Sequence, residues 1–456
     1  PTMATESTII NVLTDTFVKF ATRENLKKFC NDNVIDFNDS SFTKDRIFSL
    51  PVLLGLILYP KAHSLFIDEM AYLEGIGSSI ASAAAFAKRR SLIPKEYVEE
   101  YQRMLVSDIY STGLAPERWN GHVLLACDGS TYSMPNTQKM RKYFLDGRKT
   151  GRSEQPLARG VVVKDVVNDI VVGADMDCYG DDEIKLAIRQ MKKLPKVVSE
   201  LSPVVIFDRK YCAYTLIEPL MTLHIDFIIR VKAGFNKDVD RFIQSGLMEQ
   251  IVTLTSGSTT RKKLKHMYGN AANDYTVRLI RCAHDVVVMT SLVDDRTTMD
   301  DTLPGSETAL AGIPVKDVYR LRWTDETTIN FLKNNLEIEI VSSSRVPIIY
   351  QDFYSKLINY NIVTLIAKAA AEKRLPRKKS PVHRLGINRN DTLGIVAIKF
   401  WKSLVLNNLK DEWPEMLRQI GRNTCPIIPD RHNARVFRNI KASGKYVTFT
   451  NYRQAL

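Results

Sequence analysis

A chain of 456 residues, 45% hydrophobic and 25% charged, is long enough for two or three domains and can bury a substantial core, which excludes a broadly disordered protein. Its net charge of +13 points to a polyanionic partner, and the charge is uneven: residues 373–456 hold 18 Lys and Arg against 5 Asp and Glu, which accounts for the whole excess. The six cysteines form no CxxC pair, the seven histidines show no HExxH spacing, and the longest apolar run, LPVLLGLILY at 50–59, is too short to span a bilayer, so zinc-ribbon, zincin and membrane-spanning classes are excluded. With no secretory leader read at its start, the expectation is a soluble protein in a reducing, cytoplasmic setting.

Residues 1–115 read as helical, with apolar positions recurring at three and four (Ile10, Leu13, Phe17, Phe20). Within them EGIGSSIASAAAFAKRRSLIPKEYVEEY, 74–101, has a turn-like GIGSS, a small-residue helix ending in Lys88, Arg89 and Arg90, and a Pro stop. That is the outline of a helix-turn-helix reading head with three basic DNA contacts. A packing helix whose basic last turn complements the helix dipole fits the same residues equally well.

From 116 to 232 short β-rich runs take over. HVLLACD ends on Asp128, RGVVVKDVVNDIVVGADM reads as two strands joined at Asn168-Asp169, EIKLAIRQMKKL is helical, and PVVIFD is a second apolar strand ending on Asp208. YCAYTLIEPLM then reads as helix and HIDFIIRVK as strand. Asp175, Asp177, Asp181, Asp182 and Glu183 crowd the approach to the helix at 183, where acids favour the N-terminal dipole without any metal, so they are read as loop. Residues 233–315 are read as an inserted β-rich subdomain (QIVTLTS, YTVRLIRCA, DVVVMTSLV) with a basic RKKLKH at 261–266. Residues 316–374 return to helix. Residues 375–456 form a basic helical region, entered through the linker PRKKSP at 376–381, with helical stretches near 351–374 and 391–421 on either side of that linker.

The stretch YRLRWTDETTINFLK, 319–333, carries four unlike polar residues on one helical stripe: at roughly 100° per residue, Tyr319, Arg322, Glu326 and Lys333 fall at about 0°, 300°, 340° and 320°. Exposed Glu and Lys at helical spacing are common, but a phenol, a guanidinium, a carboxylate and an ammonium facing one object suggest a metal-bound phosphate. Trp323, at about 40° on the same wheel, is placed to stack on an unpaired base or to fill a core. Asp128, Asp208 and Glu326 then form a set of three carboxylates from separate elements, which cannot all ionise cheaply side by side without a divalent cation. All-oxygen ligation favours Mg²⁺ or Mn²⁺, and a pair of such ions suits in-line attack on a phosphodiester.

The spacing Tyr319-x2-Arg322-x3-Glu326-x6-Lys333 resembles the Tyr-Arg-Glu-Lys signature of bacterial DDE transposases of the insertion-sequence-four family, and CDGSTYSMP around Asp128 and IFDRKY around Asp208 resemble its other two blocks. The resemblance implies an α/β protein with an RNase H-like catalytic core interrupted by a β-rich insertion, a helical N-terminal DNA-binding region and a basic helical C-terminal region. It implies two ions, Mg²⁺ with Mn²⁺ able to substitute, held by Asp128, Asp208 and Glu326. It further implies that Tyr319, Arg322 and Lys333 grip the DNA backbone, with Arg209 and Lys210 as candidate phosphate contacts. The expected partners are double-stranded DNA, as terminal inverted repeats and target, and a second copy of the chain in the synaptic complex. The expected setting is the bacterial cytoplasm beside the nucleoid, without a membrane. The expected activity is cleavage of the element's ends and joining of the 3′ ends to target, cut-and-paste through a hairpin. A nuclease that cuts without joining would use the same carboxylates, and a transposase-derived repressor would keep the head and tail while losing an acid; all three acids are present.

Overall fold

Two apolar runs, Leu124–Cys127 and Val204–Phe207, are buried at every position, so neither can lie at a solvated sheet face. They form the centre of an eight-stranded mixed sheet in a computed structural model that describes residues 3–44, 46–60, 63–146, 155–269, 271–282, 286–293, 313–373 and 384–427. The strands are β1 (Leu124–Ser133), β2 (Leu157–Asp165), β3 (Ile170–Cys178), β4 (Val204–Phe207), β5 (Asp226–Arg230), β6 (Glu249–Thr255), β7 (Asp274–Arg281) and β8 (Val287–Thr290), in the spatial order β3-β2-β1-β4-β5-β8-β7-β6. β1, β4 and β5 run parallel, with Leu124 opposite Val204 and Cys127 opposite Phe207. β5–β8, β8–β7 and β7–β6 are antiparallel. The whole is a mixed α/β protein.

Contacts divide the chain into two units, one of residues 1–108, 132–158 and 332–456, the other of residues 109–131 and 159–331. The second unit holds the sheet apart from the last two residues of β1 and the first two of β2. Its core packs Trp119, Leu124, Ala126, Val204, Ile206, Ile228 and Val288 against Val315, Val318 and Tyr319. The Trp119 indole donates to the Ile313 carbonyl at 2.8 Å, so the ring is buried with its one polar atom satisfied. The strands expected within 233–315 do not form a separate layer. They continue the same sheet beyond β5, because β8 pairs directly with β5. The basic RKKLKH lies on a helix, Ser258–Tyr268.

The first unit is helical. Its longest helix, Val346–Glu372, is buried around most of its circumference, which is why its sequence lacks the one-sided polarity of a surface helix. Asn359 on this helix donates to the Leu58 carbonyl at 2.7 Å and accepts from the Trp401 indole at 3.0 Å. The helical stretch expected at 391–421 is divided: Asn407 adopts a left-handed φ of 54° between the helices Trp401–Val405 and Leu409–Arg422. The linker PRKKSP and residues 428–456 of the basic tail lie outside the described residues.

The head read as helix-turn-helix contains the helices Leu65–Gly75 and Ala83–Arg90, the second capped by Ser82, whose hydroxyl accepts from the Ala85 amide at 3.2 Å. Its three basic residues part company. Lys88 is exposed. Arg89 lies over the Phe42 ring at 4.3 Å and donates to the Phe48 carbonyl at 3.2 Å. Arg90, expected to touch DNA, is buried and donates to Gln351 at 2.6 Å, Ser342 at 2.7 Å and Asp352 at 2.8 Å. A guanidinium with three internal acceptors is an internal strut, and phosphate cannot reach it. Among the described residues, no helix is long and apolar enough to cross a membrane.

Candidate active site

The parallel register of β1 and β4 decides where two of the carboxylates go. Cys127 and Phe207 are the last paired residues, so Asp128 and Asp208 come next on neighbouring strands, whose axes lie about 4.8 Å apart. β1 runs on to Ser133, so Asp128 sits within its strand and not at the end expected for it. Asp208 does end its strand, and opens a 3₁₀ turn, Arg209–Tyr211.

The segment carrying Glu326 is not one continuous α-helix. A helical turn, Val315–Val318, tightens to a 3₁₀ turn over Tyr319–Arg322 before the helix Trp323–Asn334 begins. Residues three apart eclipse in a 3₁₀ turn, so Tyr319 and Arg322 stack one above the other, both turned inward, and the 100° wheel does not hold across this segment. Arg322 is the hub. Its Nη2 donates to Glu326 Oε1 at 3.0 Å and its Nη1 lies 3.5 Å from Asp128 Oδ2. Burial works against its charge, yet Glu326, then Tyr319, Asp128 and Asp208, raise its pKa above the ordinary value. The Arg322 Nε is buried without a hydrogen-bond partner among the described residues.

Two carboxylates, Asp128 and Glu326, thus meet on one guanidinium, and Asp208 acts on it only through its field. Desolvation pushes Asp128 up to about 6; the Gly129 amide, which its Oδ1 accepts at 2.9 Å, and Arg322 pull down, while Glu326 and Glu183 push further up. Burial also raises the Tyr319 phenol. Among the described residues, no set of three or more His, Cys, Asp or Glu stands close enough to hold a metal ion. Asp128 and Glu326, from different elements, nevertheless share one positive charge, and hard oxygen donors of this kind suit a divalent cation.

Trp323 is 55% exposed, with Arg322 Cζ 5.4 Å from its ring centroid, so its ring is presented to solvent and does not fill the core. Arg209 and Lys210 are exposed beside Asp208. Lys333 belongs to the first unit, where its ammonium lies 5.4 Å from the Tyr132 ring centroid; burial lowers its pKa while Glu339 raises it.

Two residues of this region escaped the sequence reading. Lys164, alone among the apolar residues of VVVKD, is buried and donates to Thr328 Oγ1 at 2.8 Å, pinning β2 to the helix that carries Glu326. Its signal was a lone Lys inside a strand. Glu183, read as part of a dipole-seeking loop, is buried between Arg159, at 3.2 Å, and Lys210. Nothing in the local sequence sets it apart from its acidic neighbours.

A family model for the transposase DDE domain matches residues 119–362, just over half of the chain. Among solved structures, the chain is similar to one described as a piggyBac transposase synaptic complex with hairpin DNA, at a TM-score of 0.43 and 10% identity over 95% of this chain and 90% of that one. No curated protein matches the sequence.

Proposed function

This chain belongs to the family of transposases with a DDE domain, and from that premise we propose that it is a catalytically complete DNA transposase of the insertion-sequence-four type whose acids are Asp128, Asp208 and Glu326. The observation that carries the reading is that Asp128 on β1 and Glu326 on the helix Trp323–Asn334 meet on Arg322, while Asp208 follows β4, the parallel neighbour of β1. The strand order β3-β2-β1-β4-β5 supports an RNase H-like core over 116–232 and 316–374, with 233–315 inserted.

Asp128, Asp208 and Glu326 would hold two Mg²⁺ ions, with Mn²⁺ able to substitute, and such ions supply activation of the attacking oxygen and neutralisation of charge on the leaving oxygen of a phosphodiester. The remaining work falls to the chain's own side chains. Arg322, which holds Asp128 and Glu326, is the proposed grip on a phosphate of the transposon end. Tyr319 stacks against it and fixes its direction. Trp323 offers an exposed ring on which a base that leaves the stack can lie, as a hairpin at the transposon tip requires. Lys333, Arg209 and Lys210 supply further backbone contacts, Lys88 and Arg89 contact the terminal inverted repeat, and the basic tail binds duplex without regard to sequence. A homodimer would bring two ends together before joining to target, in the bacterial cytoplasm beside the nucleoid.

The test is a supercoiled plasmid carrying the DNA that flanks this coding sequence, incubated with the purified protein and Mg²⁺ or Mn²⁺. Nicks at the flanks and 3′ ends joined to a second plasmid are expected, with Asp128→Asn, Asp208→Asn and Glu326→Gln binding DNA but leaving it uncut. Cutting without joining would make the protein a nuclease. Specific binding without any cutting would make it a repressor.

A further inference from the structure

The acidic run at 175–183 separates when each side chain is followed to its partner. Asp175 and Asp177 are both held by Arg189, the latter at 3.0 Å. Asp181 faces Lys185 at 3.8 Å, and Asp182 caps the helix Glu183–Lys192 by accepting from the Ile184 amide at 3.0 Å. Those four all serve the helix Glu183–Lys192. Glu183 turns inward instead: its side chain is 7% exposed and its carboxylate takes Arg159 from β2 at 3.2 Å and Lys210 from the turn after Asp208.

The place it occupies exists because residue 129 has no side chain. A Cβ on Gly129 would stand 2.0 Å from Glu183 Cδ and 2.1 Å from its Oε1. Glu183 therefore lies flat against the backbone next to Asp128 while gripping the residue two positions after Asp208. The lysine it grips has a side chain that is otherwise 60% exposed, and a free lysine of that kind samples many rotamers. A buried carboxylate is a fixed acceptor that removes this freedom. Tyr211, next in the same turn, is fully buried with its ring 5.2 Å from that of Phe207, so the turn is anchored at both ends.

We propose that Glu183 is a positioning residue for the reaction: through Lys210 it fixes the turn that aims Asp208, and through its contact with Gly129 it keeps that turn in step with Asp128. The inference rests on the catalytic reading above. Glu183 does not touch DNA or the reacting atoms; it acts by holding a cation whose own place sets the direction of Asp208.

A double-mutant cycle on the full-length protein tests this, with single-turnover nicking of the flank-bearing plasmid in Mn²⁺, DNA-end affinity and melting temperature measured for each variant. Glu183→Gln keeps the shape and removes the charge that holds Lys210; it is expected to slow nicking about tenfold or more with end affinity within about twofold of the parent. Lys210→Met, at an exposed position, is expected to show the same slowing with an unchanged melting temperature. In the Lys210→Met background, Glu183→Gln is expected to add less than about twofold, because the two side chains act as one unit. Parental nicking by either single variant, or additive losses in the double variant, overturns the inference while leaving the catalytic reading intact. Should Glu183→Gln not fold, Lys210→Met decides with its end affinity: slowed nicking at unchanged melting and unchanged end affinity supports the inference, while parental nicking, or slowing matched by lost end affinity, overturns it. A wild-type protein that nicks nothing defeats the catalytic reading and this inference with it.

Discussion

Arg322 and Glu326, four residues apart, are joined by a hydrogen bond of 3.0 Å from a guanidinium that also lies 3.5 Å from Asp128. The guanidinium supplies positive charge to Asp128 and Glu326. Its removal leaves like charges facing one another in a half-buried place, and that repulsion can be relieved by an added cation. Arg322→Ala is therefore expected to lose on the order of 1–2 kcal/mol in EDTA and to recover more of its melting temperature than the parent gains when millimolar Mn²⁺ is added. Equal Mn²⁺-induced shifts in parent and variant would show that the acids do not depend on this residue for their counter-charge.

Asp128 gives a pH dependence whose sign follows from its raised pKa. Between the unfolded value near 4 and the folded value of about 6 the native chain holds a proton that the unfolded chain has released, so stability falls as pH rises through that window and stays lower above it. Asp128→Asn removes the cost. In metal-free buffer the variant is expected to exceed the parent by on the order of 2 kcal/mol above about pH 7 and to match it below about pH 4. Urea titrations at the two pH values read the difference; a variant no more stable than its parent at neutral pH would mean that Asp128 is not desolvated in solution.

Gly129 is the seat of Glu183, so Gly129→Ala forces a methyl group into a carboxylate and is expected to cost on the order of 1–3 kcal/mol. Shortening the intruded side chain should restore stability but not chemistry. Melting of Gly129→Ala/Glu183→Ala near the parental temperature, with nicking still depressed, is the expected pair of results; a double variant melting as low as Gly129→Ala would place the clash elsewhere.

Arg90 and Lys88 lie two residues apart in the same basic run, yet their surroundings predict opposite phenotypes. Arg90→Met breaks a buried pair with Asp352 and is expected to cost about 3 kcal/mol or more. Lys88→Ala is expected to change stability by less than about 0.5 kcal/mol while lowering the salt dependence of DNA binding. Chemical denaturation and salt-titrated binding distinguish the two, and a destabilised Lys88→Ala would remove it from the DNA surface.

Much of the sheet was legible because buried strands announce themselves as short apolar runs: β4, β5 and β8 each lie inside a segment read as strand, and β7 begins one residue before such a segment. β1 was read too short. Gly129, Ser130 and Thr131 look like a turn, and only the fold shows the strand carrying through them to Ser133. The break at Tyr319–Arg322 was not legible, since a helical wheel assumes the uniform winding that it is used to test. The candidate acids at 128, 208 and 326 were visible as residue types at strand ends and on a stripe, and their common neighbour Arg322 was visible as part of that stripe. Glu183 was not, because what distinguishes it from Asp182 is a missing side chain 54 positions away, at Gly129. Arg90 was misread for a similar reason: its acceptors, Gln351 and Asp352, come 261 and 262 residues later.

That last separation is also an interval of time. The helices of residues 3–108 leave the ribosome well before the helix Val346–Glu372 on which Arg90 and the Leu58 carbonyl find their partners, 261 to 301 residues downstream. At about 5–20 residues per second, the partner follows roughly 13 to 60 seconds behind. Through that interval a nascent chain carries apolar helix faces and a guanidinium with nothing to rest on. A fragment ending before residue 346 keeps them permanently, so cutting the chain near 110 divides one core into two orphaned halves.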